Sequence, residues 1–192
     1  MLTDTRYFYG STGLQDEHYK IIDDHLKTGL WQDGTSHSET KERETTISWI
    51  WNQDLADHIG GIMQYGNSWM GWNFDIMMFE PFQYTWYKEN NFFNWHIDQN
   101  DAWTEETRGN LPRDYIGLTR KLSMSILLND ADEYEGGDFE LRDVWHKSVP
   151  VPQLKKKGDF IVFPSIIMHR VTPITKGERK SLVGWACGEQ FR

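Results

Sequence analysis

The spacing of the apolar residues changes near Gly66, and this change limits the folds that the chain can adopt. Before Gly66 the apolar residues recur at intervals of three and four, which is the spacing of amphipathic helices. Beyond Gly66 bulky residues alternate with others in short runs, separated by glycine, proline or charged turns, which is typical of β-strands. This order predicts a mainly β protein, with N-terminal helices packed on one sheet of a β-sandwich or jelly roll.

Two helices are predicted in the first third of the chain. One spans residues 14–26, and the other follows Asn52 and Asp54, either of which can cap it. The apolar positions of the two helices are Leu14, Ile21, Ile22, Leu26, Trp51, Leu55, Ile59, Ile62 and Met63. Residues 32–43 are polar, and we expect them to form a loop or a poorly ordered excursion. Residues 1–66 are therefore predicted to form a helical support.

The predicted strands lie between residues 74 and 190 and form the core of one domain that comprises residues 1–192. They are residues 82–87, 121–129, 138–141, 160–163, 170–174 and 181–186. The alternation is clearest in residues 121–129, where one face carries Leu122, Met124, Ile126 and Leu128, and the other Ser123, Ser125 and Leu127.

Composition excludes several classes of protein. The 20 basic and 29 acidic side chains give a formal net charge of −9, which argues against a nucleic-acid partner and favours a basic one. No run of apolar residues is long enough for a membrane helix, so no membrane association is expected. The single Cys187 and the absence of a leader-like N-terminus predict a cytoplasmic protein. The sequence does not indicate an oligomeric state.

One pair of residues has the spacing of metal ligands. His96 and Asp98 are two positions apart, so on an extended segment they project to the same side. A third ligand would complete the two-histidine, one-carboxylate triad that holds Fe(II) and leaves positions open for a co-substrate and O2. His169 is the best placed of the other histidines, because it opens a strand after a strand and a break. Each of these residues alone is more commonly structural than metal-binding.

A cation follows His169 at the start of the last predicted strand. Arg179 offers a bidentate guanidinium that matches a carboxylate, and Ser181 lies on the same face of the strand. Without the metal triad, Arg179 is better explained as a surface charge in a Lys-Gly-Glu-Arg turn.

Four segments in a fixed order resemble a known family. They are His96-x-Asp98, residues 127–141, residues 158–165 and residues 169–179, within a region from about Tyr84 to Ala186. This region is similar to the prolyl 4-hydroxylase-type branch of the Fe(II)/2-oxoglutarate dioxygenases, and within that branch to the bacterial PKHD-type hydroxylases. The resemblance implies a double-stranded β-helix, also called a jelly roll, with iron bound by His96, Asp98 and His169.

The resemblance also implies a site for 2-oxoglutarate. Arg179 would pair with the far carboxylate of this co-substrate, with Ser181 donating its hydroxyl and Tyr87 lying close by. Lys180 is the alternative cation, although strand alternation points it to the opposite face. Leu127 stands where some relatives have a tyrosine, so Ser125 or Tyr87 would have to replace that hydroxyl.

The implied activity is hydroxylation of a prolyl residue in a peptide or protein, with release of succinate and CO2. Fe(II), 2-oxoglutarate and O2 would take part, with ascorbate in support, and the partner would be a basic, proline-containing peptide. Two alternatives stay open: a hydroxylase for a free amino acid, and a jelly-roll binding module without catalysis. The acidic segment 100–113 is a candidate lid. Candidates for stacking on the proline ring at the mouth of the site are Trp69, Trp72, Trp95 and Trp103, although aromatic residues more often fill the core.

Overall fold

The structure, a computed structural model, describes residues 7–34 and 42–190. These residues form two helices, α1 (Asp16–Leu26) and α2 (Gln53–Trp69), and two short 3-10 helices, Arg113–Tyr115 and Ala131–Glu133. The strands are β1 (Phe8–Ser11), β2 (Gln32–Asp33), β3 (Arg43–Glu44), β4 (Thr46–Ile50), β5 (Met78–Phe79), β6 (Phe82–Tyr87), β7 (Phe92–His96), β8 (Leu118–Leu127), β9 (Tyr134–Gly136), β10 (Phe139–Arg142), β11 (Ser148–Pro150), β12 (Asp159–Pro164), β13 (His169–Val171), β14 (Ile174–Gly177) and β15 (Arg179–Glu189).

Two antiparallel sheets form the body of the protein. The major sheet has the order β1-β12-β8-β15-β6-β4-β2, with β5 also paired to β15, and the minor sheet has the order β11-β10-β13-β7-β3. Their inner faces pack together through residues such as Leu127 and Phe163 of the major sheet and Phe139 and Val171 of the minor sheet. This packing of two antiparallel sheets confirms the predicted jelly roll. Among the described residues the two sheets are not joined into a closed barrel.

The helices cover the outer face of the major sheet. Leu122, Met124 and Ile126 of β8 point to this face, while Leu127 points between the sheets, as the alternation predicts. The residues that pack on this face come from α1, from α2 and from the segment before α1. They are Leu14, Ile22, Leu55, Ala56, Ile59 and Met63. The prediction that the N-terminal helices pack on one sheet is thus confirmed.

The prediction of a purely helical support over residues 1–66 is wrong, because three strands of this region join the major sheet. β1 pairs with β12, β4 with β6, and β2 with β4. The prediction of a loop over residues 32–43 is also wrong at its two ends, since Gln32 begins β2 and Arg43 begins β3; residues 35–41 lie outside the described residues. Strands of two polar residues pair through their backbones alone and leave no apolar alternation in the sequence.

Element ends differ from the predicted ones by a few residues. α1 begins at Asp16, α2 continues to Trp69, and β15 extends from Arg179 to Glu189. Asn52 caps α2, since its side-chain oxygen accepts a hydrogen bond from the Leu55 amide at 3.1 Å. Neither α-helix of the described residues has the length and apolar character required to cross a membrane.

We expect Asn52→Ala to lower the free energy of unfolding by about 1 kcal/mol, because the first turn of α2 loses the acceptor for one of its free amides. Urea denaturation followed by circular dichroism measures this change. Asn52→Asp is the control, since it keeps an oxygen acceptor and should retain most of the stability. Equal losses in both variants would contradict the capping role.

Candidate functional site

Strand pairing brings three potential metal ligands together. His96 ends β7 and His169 begins β13, and the two residues are directly paired across these antiparallel strands. Asp98 follows β7, where its amide and that of Gln99 both donate to the carbonyl of Ser165 at 3.0 Å. This backbone clamp turns the Asp98 side chain toward the two histidines.

The side-chain atoms of these residues face a common point. His96 Nε2 lies 3.6 Å from Asp98 Oδ1, and His169 Nε2 lies 3.5 Å from Asp98 Oδ2. One ligand atom from each residue can be chosen so that all three lie within 4.8 Å of one another. The structure therefore brings together the three residues that the sequence singled out, in an arrangement that can hold one metal ion.

Backbone contacts orient both imidazole rings. His96 Nδ1 lies 2.7 Å from the carbonyl of Asn94, and His169 Nδ1 lies 3.0 Å from that of Ile167. A carbonyl can only accept, so each Nδ1 carries the hydrogen and each Nε2 keeps its lone pair for a metal. Contacts of this kind fix the tautomer and direction of metal-binding histidines.

Burial sets the charge of these groups. It lowers the pKa of His169 to about 4, despite the opposing effect of Asp98, so the ring is neutral near pH 7. Burial would raise the pKa of Asp98, but the neighbouring His169, His96 and Arg120 outweigh it and hold that pKa well below its usual range. A neutral imidazole and an ionised carboxylate are the forms that bind metal.

A series of two hydrogen-bonded contacts and one cation–π contact supports Asp98. Trp185 Nε1 donates to Asp98 Oδ2 at 2.9 Å, and the guanidinium carbon of Arg120 lies 3.9 Å from the centre of the Trp185 ring. Glu80 binds Arg120 through two contacts of 2.6 and 2.7 Å. Because Glu80 is 2% exposed and fully paired, it holds Arg120 over the indole and so fixes the donor to Asp98.

Arg179 lies in the interior, not on the surface as its alternative reading suggested. Arg179 is 1% exposed, and its Nη1 donates a hydrogen bond to the Ser181 hydroxyl at 3.1 Å. Its Nη2 is buried and has no hydrogen-bond partner in the part of the chain that the structure describes. A buried guanidinium without a partner is unfavourable, so this geometry suits an added carboxylate.

The neighbours of Arg179 supply hydroxyl groups. Tyr87 is paired with Arg179 across β6 and β15, and its ring centre lies 5.6 Å from the guanidinium carbon. Burial raises the pKa of the Tyr87 phenol, although Arg43 and Arg179 act in the opposite direction, so the hydroxyl stays protonated. Lys180 points to the other face, where its Nζ lies 6.0 Å from the Trp86 ring centre. This orientation agrees with the predicted strand alternation.

One cavity connects these groups. It has a volume of about 330 Å³ and lies between the two sheets. Its wall contains His96, Asp98, His169, Arg179, Ser181, Tyr87, Ser125, Thr85, Gln83, Arg43, Trp49 and Trp185. The three potential metal ligands and the Arg179 guanidinium thus face the same cavity, as a shared site for a metal and a carboxylate requires.

Sequence reasoning missed several residues of this cavity. Trp185 could have been predicted to line the cavity. It lies two positions after Val183 and four after Ser181, so strand alternation places all three side chains on the same face. Arg43 carried no such signal, since β3 has only two residues. Gln83 accepts a hydrogen bond from Arg43 Nη2 at 2.8 Å, while Arg43 Nε is buried and has no partner in the described ranges.

The tryptophans proposed to stack on a substrate lie in different places. Trp72 packs against the helix side of the major sheet, and Trp69 stacks on Tyr65 at the end of α2. Trp95 contacts the guanidinium of Arg142 at 4.3 Å, and Trp103 is buried. None of these four is among the described residues that line the metal cavity, and Trp103 is buried, as aromatic residues that fill a core are. Trp49 of β4 and Trp185 of β15 line the cavity instead.

We expect Trp185→Phe to weaken the binding of Mn(II) or Co(II) by about tenfold or more, because Asp98 loses the donor that orients its carboxylate. Metal titration followed by electron paramagnetic resonance or visible absorption measures the affinity. Trp86→Phe is the matched control, since Trp86 lies on a neighbouring strand and packs against Trp31 on the outer side. Equal affinity in the two variants would contradict the role of Trp185.

Comparison with solved structures identifies similar folds. A viral collagen prolyl hydroxylase from Paramecium bursaria Chlorella virus-1, in a 2-oxoglutarate complex, has a TM-score of 0.66 at 19% identity and covers 95% of this chain and 96% of its own. A prolyl-4-hydroxylase from Pseudomonas putida has a TM-score of 0.64 at 20% identity, covering 94% of this chain and 91% of its own.

Comparison of sequences gives the family. A PKHD-type hydroxylase of Xylella fastidiosa (strain 9a5c) is 33% identical over 106 residues, which are 55% of this chain and 43% of the relative. One of Saccharophagus degradans is 25% identical over 179 residues, 90% of this chain and 74% of the relative. The match to the Xylella relative thus spans less than half of that protein. These two relatives confirm the expected resemblance to PKHD-type hydroxylases. The 2OG-Fe(II) oxygenase superfamily profile matches residues 82–187, more than half of the chain, and the chain therefore belongs to this superfamily.

Proposed function

We propose that this protein is an Fe(II)- and 2-oxoglutarate-dependent hydroxylase that modifies a prolyl residue in a peptide or protein and releases succinate and CO2. One observation carries the proposal. The buried Arg179 guanidinium, whose Nη2 has no hydrogen-bond partner among the described residues, lines the same cavity as the triad of His96, Asp98 and His169. A non-catalytic binding module requires neither the triad nor a buried cation beside it.

The triad would hold Fe(II) through three ligands on one side, which leaves the opposite positions for the co-substrate and O2. Iron of this kind couples the oxidative decarboxylation of 2-oxoglutarate to hydroxylation of an unactivated C–H bond. The protein's own contribution is geometric. Trp185 holds one oxygen of Asp98, and the carbonyls of Asn94 and Ile167 hold the two imidazole rings. The ligands are therefore set in place before the metal arrives.

Arg179 would bind the far carboxylate of 2-oxoglutarate. Its Nη2 needs an acceptor, and Ser181 and Tyr87 add hydroxyl groups beside it. Leu127 is fully buried among apolar residues and adds no hydroxyl, whereas Ser125 lines the cavity and can replace it. The aromatic rings of Phe93, Phe139 and Phe163 complete the wall and limit access of water.

The substrate class rests on similarity and on charge. The solved structures include a viral collagen prolyl hydroxylase, a prolyl-4-hydroxylase, and a Trichoplax adhaerens prolyl hydroxylase bound to a fragment of the hypoxia inducible factor oxygen degradation domain. The formal net charge of −9 favours a basic, proline-containing segment as the partner.

A second candidate is hydroxylation of a free amino acid. The observation that favours it is Arg43, whose buried Nε has no partner in the part of the chain described and which lines the metal cavity. A second guanidinium at this place suits a substrate with its own carboxylate. Mass spectrometry of blocked proline peptides and free amino acids, incubated with the enzyme, separates the two. A mass gain of 16 Da on the prolyl peptides, and not on the free amino acids, supports the prolyl hydroxylase.

The deciding experiment is succinate formation by protein reconstituted without air and then given Fe(II), 2-oxoglutarate, ascorbate and O2. We expect turnover in the wild type and none in His96→Ala or Arg179→Ala. Iron-dependent binding of 2-oxoglutarate, measured on the same samples, guards against slow turnover without substrate. A wild type that binds neither iron nor 2-oxoglutarate would contradict the proposal.

We expect Arg179→Met to weaken 2-oxoglutarate binding by about a hundredfold, because hydrogen bonds to charged groups contribute about 1.5–3 kcal/mol each. Lys180→Met removes the same charge one residue later, from the outer face of β15, and should change the affinity by less than about threefold. Calorimetry with Mn(II)-loaded protein measures both. The assignment of the cation fails if Lys180→Met has the larger effect.

A further inference from the structure

A second cavity lies beside the one that holds the metal triad. It has a volume of about 440 Å³ and shares two wall residues, Trp49 and Arg120, with the metal cavity. Its remaining wall consists of Gln32, Glu80, Pro81, Trp103, Asn110 and Leu111. Three of these residues belong to the segment 100–113, so this segment forms one side of the second cavity.

The wall of the second cavity is mainly apolar. Trp49, Pro81, Trp103 and Leu111 supply carbon surface, whereas the charged groups, Glu80 and Arg120, neutralise each other through two short contacts. Because Glu80 and Arg120 already pair with each other, neither is available to pair with a charged side chain of a ligand. The cavity therefore suits an apolar side chain or ring.

Backbone and ring contacts hold the segment 100–113 in place. The Trp103 amide donates to the Leu118 carbonyl at 3.1 Å, and the Gly117 amide donates to the Trp103 carbonyl at 2.9 Å. The Trp103 ring meets the buried Tyr115 ring edge to face, and the Thr119 hydroxyl donates to the Asn100 carbonyl at 2.6 Å. Because the wall is already ordered, a ligand would lose little affinity to ordering it.

Trp49 lies between the metal triad and the second cavity. Its ring centre is 5.9 Å from that of Trp185, whose indole N–H contacts Asp98 directly. An extended chain advances about 3.3–3.6 Å per residue, so it passes these two rings in a few residues. A polypeptide substrate that continued from the metal in this direction would reach the second cavity, whereas a free amino acid has no neighbouring residue to place there.

We infer that the second cavity is a subsite for an apolar side chain of a polypeptide substrate, one or two positions away from the residue presented to the metal. The inference rests on the proposed hydroxylase function and narrows its substrate to chains that carry an apolar residue at this distance. It also gives the segment 100–113 a role as a wall of the substrate site.

The test uses the blocked peptide Ac-Gly-Gly-Pro-Gly-Gly-NH2 and its four variants with one glycine replaced by leucine. Calorimetry without air, on protein loaded with Mn(II) and 2-oxoglutarate, measures their binding. We expect at least one leucine peptide to bind about tenfold or more tightly than the all-glycine peptide, because the leucine side chain leaves water. Aspartate at the same position should abolish this gain.

Two protein variants test whether the second cavity binds the leucine side chain. Leu111→Ser makes the cavity wall polar, and Asn110→Trp fills the cavity from an exposed position. Each variant should remove the tighter binding of the leucine peptide, while the affinity for 2-oxoglutarate stays within about twofold of the wild type. Ile116→Ser is the control, because Ile116 is apolar and 40% exposed but does not line this cavity, and it should keep the gain.

The inference is overturned if no leucine peptide binds more tightly than the all-glycine peptide, or if the gain survives in both cavity variants. It is also overturned if the wild type binds 2-oxoglutarate but none of the peptides. Failure of the wild type to bind 2-oxoglutarate, which is titrated before the peptides, contradicts the proposed function instead.

Discussion

The antiparallel pairing of β7 with β13 is the contact on which the site depends. It sets His96 opposite His169, but the register shifts between this pair and the pair of Phe93 with Val171, so the two intervening residues of β7 face a single residue of β13. This bulge turns Phe93 and His96 to the same face, although their spacing would separate them on a regular strand. Their rings stack at 3.4 Å, and the bulge thereby aims an imidazole that a regular strand would turn outward.

The parts of the fold that follow from the sequence are those in which one face of an element is buried. The period of two in β8 gave the correct division between Met124, under the helices, and Leu127, between the sheets. Strand alternation predicted that Arg179 and Ser181 share one face, whereas their assignment to the co-substrate came from the resemblance to the dioxygenases. The spacing of His96 and Asp98 predicted that both side chains lie on one side of an extended segment, but the assignment of a metal site also needed the resemblance to the dioxygenases.

The parts that did not follow are those that depend on pairing between distant strands. Arg43 belongs to a strand of two residues, and its place at the cavity is set by its pairing with Phe93. Glu80 and Arg120 are 40 residues apart in sequence, and no local pattern connects them. Trp49 lies on a strand that the prediction omitted, so the space that it borders could not be anticipated.

The solitary Nη2 of Arg179 has a thermodynamic consequence for the folded chain. A buried guanidinium nitrogen that has no acceptor among the described residues lowers the stability of the native state, and an anion that supplies the acceptor binds the native state but not the unfolded one. Folding and ligand occupancy are therefore linked at this guanidinium. The concentration of a small dicarboxylate in the surroundings of the protein can set how long each molecule stays folded, in addition to how fast it works.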